Sequence, residues 1–187
     1  MRALLSGGLL AAVILTGCSP DAAVGPAGGP ASPIPGHATR AVDLGSCGTL
    51  AVPAGSRPVA HYYAAGDQRW FWLGNAWLNL GPDATLYEDA ALRHAVGTHP
   101  FNAVWQATTG SSLVGQVQQS CDVGGGAIAW QLFQTVSHEG GGIFRQVAYV
   151  QRIRTAGGVA PAQAGTTYGE TQRVPFTAEF YYYRAPR

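Results

Sequence analysis

The stretch Arg173-Val174-Pro175-Phe176-Thr177-Ala178-Glu179-Phe180-Tyr181-Tyr182 decides the fold class. Val174, Phe176, Ala178, Phe180 and Tyr182 occupy every second position, with Arg173, Pro175, Thr177, Glu179 and Tyr181 between them. Successive side chains of a strand point to opposite faces, so this alternation describes a long strand with one face in a core. Upstream, Ile128, Trp130, Leu132 and Val136 alternate in the same way against Gln131, Thr135 and Ser137. Residues 143–153 are β-branched and aromatic and read as one further long strand, with Arg145, Gln151, Arg152 and Arg154 on its flanks. Shorter strands are expected at 59–64, 69–73, 76–80, 85–88, 103–107 and 112–118.

Turn residues separate these runs, among them Gly74-Asn75, Gly81-Pro82-Asp83, Gly124-Gly125-Gly126, Gly140-Gly141-Gly142 and Gly157-Gly158. No window sustains a helical period beyond two turns, and 86–94 is the best short-helix candidate. About nine strands at this spacing predict an all-β, antiparallel β-sandwich with long C-terminal strands, an open β-barrel being the alternative.

The N-terminus reads differently. Met1 and Arg2 precede an apolar run to Leu15, interrupted only by Ser6 and two glycines. The run is shorter than the ~20 residues a spanning helix needs and has the length of a signal-peptide core. It ends in Leu15-Thr16-Gly17-Cys18, which resembles the lipobox of bacterial lipoproteins. The resemblance implies that 1–17 are a signal peptide and that Cys18 is lipidated and becomes the mature N-terminus. Several acyl chains anchor stably where one binds only marginally. Ser19 stands where an aspartate often retains lipoproteins at the inner membrane. The expected location is therefore the cell envelope, on the outer membrane if the cell has two. Residues 18–40 carry five prolines among Gly, Ala and Ser, a composition that cannot offset its own ordering entropy and reads as a tether. Residues 41–187 are long enough for one domain with a real core.

Charge excludes several partners. The chain has 11 arginines and no lysine against 10 acidic residues, and the arginines are dispersed. No basic patch points to nucleic acid, and without lysine there is no P-loop. G-x-G-x-x-G is absent, and so is the alternating βαβ pattern of a Rossmann-type dehydrogenase, so no nucleotide cofactor is expected. G-x-S-x-G fails at Val114, and H-E-x-x-H fails because Gly140-Gly141-Gly142 follows His138-Glu139. Cys47 and Cys121 are an even pair in an oxidising compartment and are expected to bond, two separate buried thiols being the alternative.

Several segments taken together resemble a family of secreted bacterial and fungal proteins known as domain of unknown function 3455. They are Val52-Pro53-Ala54-Gly55, Gly97-Thr98-His99, Trp105-Gln106, Thr135-Val136-Ser137-His138, 149–152, 155–161 and 174–184, the most specific being 151–161 and 174–184. The resemblance covers residues 50–185 and implies no mechanism. Relatives carry a cysteine where Trp72 stands and another near Gln163 or Ala164, which implies that those two pair. Cys47 and Cys121 would then be a replacement staple.

The residues left to carry chemistry are histidines and aromatics. His99 precedes a proline in an expected loop, and His138-Glu139 closes a long strand; together they could hold a divalent metal or act as acid and base. A lone histidine at a strand end more often bonds a backbone carbonyl. His61 and His94 are weaker candidates. Trp70, Trp72 and Trp105 are the candidate binding aromatics, suited to a glycan or an envelope-protein partner. The leading expectation is a non-enzymatic binding or envelope-interaction domain, without a cofactor, displayed on a membrane by its lipid anchor. The alternative is a secreted, metal-assisted hydrolase centred on His99, His138 and Glu139.

Overall fold

A computed structural model describes residues 42–101 and 103–187. The expected signal peptide, Cys18 and the expected tether at 18–40 lie outside the described residues. Among the described residues eight strands follow one another: β1 (Arg57–Trp72), β2 (Trp77–Tyr87), β3 (Ala95–His99), β4 (Val104–Ala107), β5 (Ser112–Cys121), β6 (Trp130–Glu139), β7 (Tyr149–Gly157) and β8 (Thr171–Arg184). Each pairs antiparallel with its neighbour in sequence, and β1 pairs with β8 from Arg57↔Arg184 to Phe71↔Thr171, so the single sheet closes on itself. The all-β antiparallel expectation holds. The ring is irregular, with only Gly97↔Ala107 and Thr98↔Gln106 joining β3 to β4 and register shifts in β1, β5 and β7. Both descriptions, sandwich and open barrel, fit such a ring.

Local chemistry explains where the elements depart from the sequence reading. The expected strands 59–64 and 69–73 are one strand, β1, and 76–80 and 85–88 are both in β2. Pro82 lies inside β2 opposite Gln68, and it is tolerated because β3 pairs with β2 only from Ala84 to Tyr87. The helix expected at 86–94 does not form. Leu86 and Tyr87 complete β2, and Asp89 then folds a turn by accepting the N–H groups of Ala91, Arg93 and His94. β3 follows, a strand the sequence reading lacked, and it carries His99 at its end rather than in a loop. Residues 143–153 are not one strand either. A 3-10 turn spans Ile143–Gln146, and β7 starts at Tyr149. Phe144 and Val147 are both fully buried, and their spacing of three suits that tight turn rather than a strand.

Even-numbered residues from 60 to 68 in β1, at 150 and 152 in β7 and from 176 to 182 in β8 face the interior. Ala60, Tyr62, Ala64, Val150, Phe176, Ala178, Phe180 and Tyr182 are buried there with Trp105, Leu113 and Phe133. A second, smaller cluster sits on the opposite face of β6 and β7, where Cys47 and Leu50 pack with Leu132, Trp130 and Tyr149. Cys47 is bonded to Cys121 at the end of β5, with 5.7 Å between Cα atoms. Gln151 Nε2 donates to the Leu50 carbonyl at 2.7 Å, tying this N-terminal strap to β7. β7 is therefore covered on both faces, and Gln151 and Arg152 are both buried.

Candidate functional site

The interior register of β1 runs Tyr62, Ala64, Gly66 and then Gln68, while that of β7 runs Val150 and then Arg152. Two polar side chains thus enter the ring on the parity that carries its core. They meet at a cavity of about 750 Å³, lined also by Trp70, His99, Ile128 and Phe133. Its mouth lies where β1, β3, β5 and β7 end and where β2 and β6 begin.

Arg152 dominates this cavity electrostatically. It is 8% exposed, and one hydrogen bond holds it, from Nη2 to the Ala129 carbonyl at 2.9 Å. Its guanidinium lies 6.0 Å from the centre of the Phe133 ring. Arg152 Nε makes no hydrogen bond, and no carboxylate among the described residues forms an ion pair with Arg152. Burial pushes its pKa down to about 10, which leaves it charged at neutral pH. Gln68 accepts a bond from Asn79 Nδ2 at 3.3 Å through Oε1, while its Nε2 has no partner. Trp70 donates to the Gly158 carbonyl at 3.2 Å. Only glycine fits at 158: φ is +78°, and a Cβ there would lie 2.9 Å from Gln68 Cγ and from Phe176 Cβ. Arg152 and Gly158 both fall in the 151–161 segment that carries the family resemblance, as do Val159 and Ala160 on the rim. Asp122 also stands on the rim, exposed, accepting the Gly124 N–H at 2.9 Å.

The candidate histidines do not converge. His99 is buried in the cavity wall, donates from Nδ1 to the Val104 carbonyl at 2.7 Å and stacks on Trp105 at 4.5 Å. Burial lowers its pKa to about 3, so it is neutral. His138 bonds a different carbonyl, that of Val147 at 2.7 Å, and stands with exposed Glu139 opposite Leu113 and Ser112 of β5. Neither His138 nor Glu139 lines the cavity. The joint site of His99, His138 and Glu139 is thus corrected to two separate carbonyl-bonded histidines. No group of three His, Cys, Asp or Glu among the described residues could hold a metal. His94 bonds Asp89 in the turn before β3. Of the candidate aromatics, Trp70 lines the cavity and Trp105 is core. Trp72 is buried against Trp77, with ring centres 5.2 Å apart. Gly165 lies directly against the Trp72 indole, and Trp77 donates to the Gln163 carbonyl at 2.8 Å. Position 72 and the 163–164 region are therefore neighbours, as a cysteine pair in relatives would require.

On the outer face of β1 and β8, a second polar cluster gathers around Glu179. Its Oε2 accepts from His61 Nε2, Arg154 Nη1 and the Tyr181 hydroxyl, each at 2.9 Å. His61 is stacked on Tyr181 at 4.0 Å. Arg154 reaches the cluster from a bulge between Ile153 and Ala156, where its own φ is +48°. Burial alone would raise the Glu179 pKa; the hydrogen bonds from His61 and Tyr181, with the charge of Arg154, outweigh it and hold the pKa at about 2. A depressed carboxylate stabilises the fold above its ordinary pKa of 4.5 and loses that contribution as pH falls towards about 2. With Arg154 half exposed and screened by solvent, Glu179→Gln should cost about 2 kcal/mol at neutral pH. Urea unfolding should show that gap narrowing at about pH 3, whereas an unchanged gap would contradict the ion-pair origin.

Fold and site together define an antiparallel β-ring protein with a small-molecule-sized cavity at one end. The chain belongs to the family described as Protein of unknown function (DUF3455), whose model matches residues 53–184. No curated protein and no solved structure matches it.

Gln68, Arg152 and Glu179 were missed as site residues by sequence reasoning. The signal that could have found Gln68 and Arg152 is parity: each continues the spacing of buried apolar residues along its own strand. Glu179 carried no such mark, because its three partners come from three strands.

Proposed function

We propose that this protein is an exported lipoprotein, held by acylated Cys18 on the periplasmic or extracellular face of a membrane, whose β-ring binds a small molecule. The observation that carries the binding reading is the cavity itself. Its volume of about 750 Å³ falls within the range of small-molecule sites, and it sits at the mouth of a β-ring. Apolar walls with a few convergent polar groups are what such sites use to bury and orient a ligand. The polar groups supply hydrogen-bond donors without an acid–base pair. His99 is neutral and committed to a backbone carbonyl, which favours binding over turnover. The Leu15-Thr16-Gly17-Cys18 motif supports the anchor, and the proline-rich 18–40 segment supports a spacer between membrane and ring. The test is whether the full chain, purified from its own membranes, carries a small molecule that Ala160→Trp excludes by placing an indole in the mouth.

A further inference from the structure

We propose that the ligand of this cavity carries a single anionic head, a carboxylate or a phosphate-type group, which pairs with Arg152 while an apolar body packs on Trp70. This inference rests on the binding reading and names the ligand class for it. A guanidinium is always charged and has five N–H donors. Arg152 uses one of its nitrogens, on the Ala129 carbonyl, and forms no ion pair among the described residues. Burying a charge without a counter-charge is unfavourable, and proteins otherwise pair such groups. The donors left over have the planar fork that matches a carboxylate or phosphate with two parallel hydrogen bonds.

The surroundings of Arg152 favour one anionic group at one depth. Gln68 Nε2, on the same cavity and 2% exposed as a residue, is a second donor with no partner. His99 is neutral, so Arg152 is the cation of the cavity wall. Asp122, the one carboxylate on the rim among the described residues, would repel a second anionic group on the same ligand while leaving the deep one to Arg152. Trp70 is fixed by its bond to Gly158 and lines the cavity, so its ring is set to face the body of a ligand, while Phe133 lies beneath the guanidinium and backs it.

Three matched probes test this by calorimetry on the full chain in detergent: 3-phenylpropanoate, its neutral amide and 2-phenylethylphosphonate. The acid or the phosphonate should bind at least about tenfold more tightly than the amide, and which of the two binds better separates carboxylate from phosphate ligands. Arg152→Met should abolish the preference while amide affinity persists, which reports that the variant is folded. Gln68→Leu, which leaves the charge in place, should weaken the acid a few-fold without weakening the amide. Equal binding of acid and amide, or a preference that survives Arg152→Met, overturns the anionic head and leaves the binding site standing. Absence of binding by all three probes overturns both.

Discussion

Replacing Cys47 and Cys121 together by serine is expected to lower stability by about 4 kcal/mol and the Tm by roughly 10 °C. The bond closes a loop across a sequence separation of 74 residues, and in the chain-entropy picture the loss comes from freeing that loop in the unfolded chain. The fold adds a local consequence. Cys47 belongs to the strap that places Leu50 on Leu132 and presents the Leu50 carbonyl to Gln151. Without the bond, that strap is held by a small apolar cluster and one side-chain hydrogen bond, so it should open before the ring does. Hydrogen exchange should show amides of 47–51 losing protection in the double variant while those of β1 and β8 keep theirs. An unchanged Tm with intact strap protection would contradict this role of the disulfide.

Trp105→Ala should be comparably damaging, at about 4 kcal/mol. The indole is fully buried, stacked on His99, and meets Phe133 and Phe180 edge-on at 5.1 and 5.6 Å. Gly115 leaves it room, since a Cβ there would lie 2.9 Å from the ring. Three surrounding rings cannot collapse into the space a tryptophan leaves, so the cavity penalty should be close to full. Because His99 stacks on this ring and lines the cavity, truncation should also loosen the cavity wall. Trp105→Phe should recover most of the stability in denaturant titration. A loss below about 1 kcal/mol for the alanine variant would mean that the four-ring cluster does not support the ring interior.

The period-two alternation in 173–182 was enough to predict an all-β antiparallel domain, because one face of β8 is core and the other is not. The same reasoning failed at 143–153, where apolar residues on both sides conceal a 3-10 turn, and at 86–94, where a turn built on one aspartate imitates a short helix. Closure of the ring was not legible, since pairing of β1 with β8 joins residues 100 or more positions apart. The cavity was hidden for a related reason. Arg152 reads as a charged residue on a strand flank until the strap is known to cover the other face of β7. Only then does its parity with Val150 place it inside. Trp70 could be singled out from the sequence, but its separation from Trp72 and Trp105 depends on which strands curl around it.

The most direct test of the proposed binding site is the native mass spectrum of the full chain purified from the cells that make it, compared with that of Ala160→Trp. The proposed ligand site should give the wild-type chain a stoichiometric small-molecule adduct that the plugged variant lacks, above any mass that the proposed acylation of Cys18 adds to both. An adduct present equally in both would place any ligand outside the ring, and a wild-type spectrum with no small molecule at all would contradict the binding function.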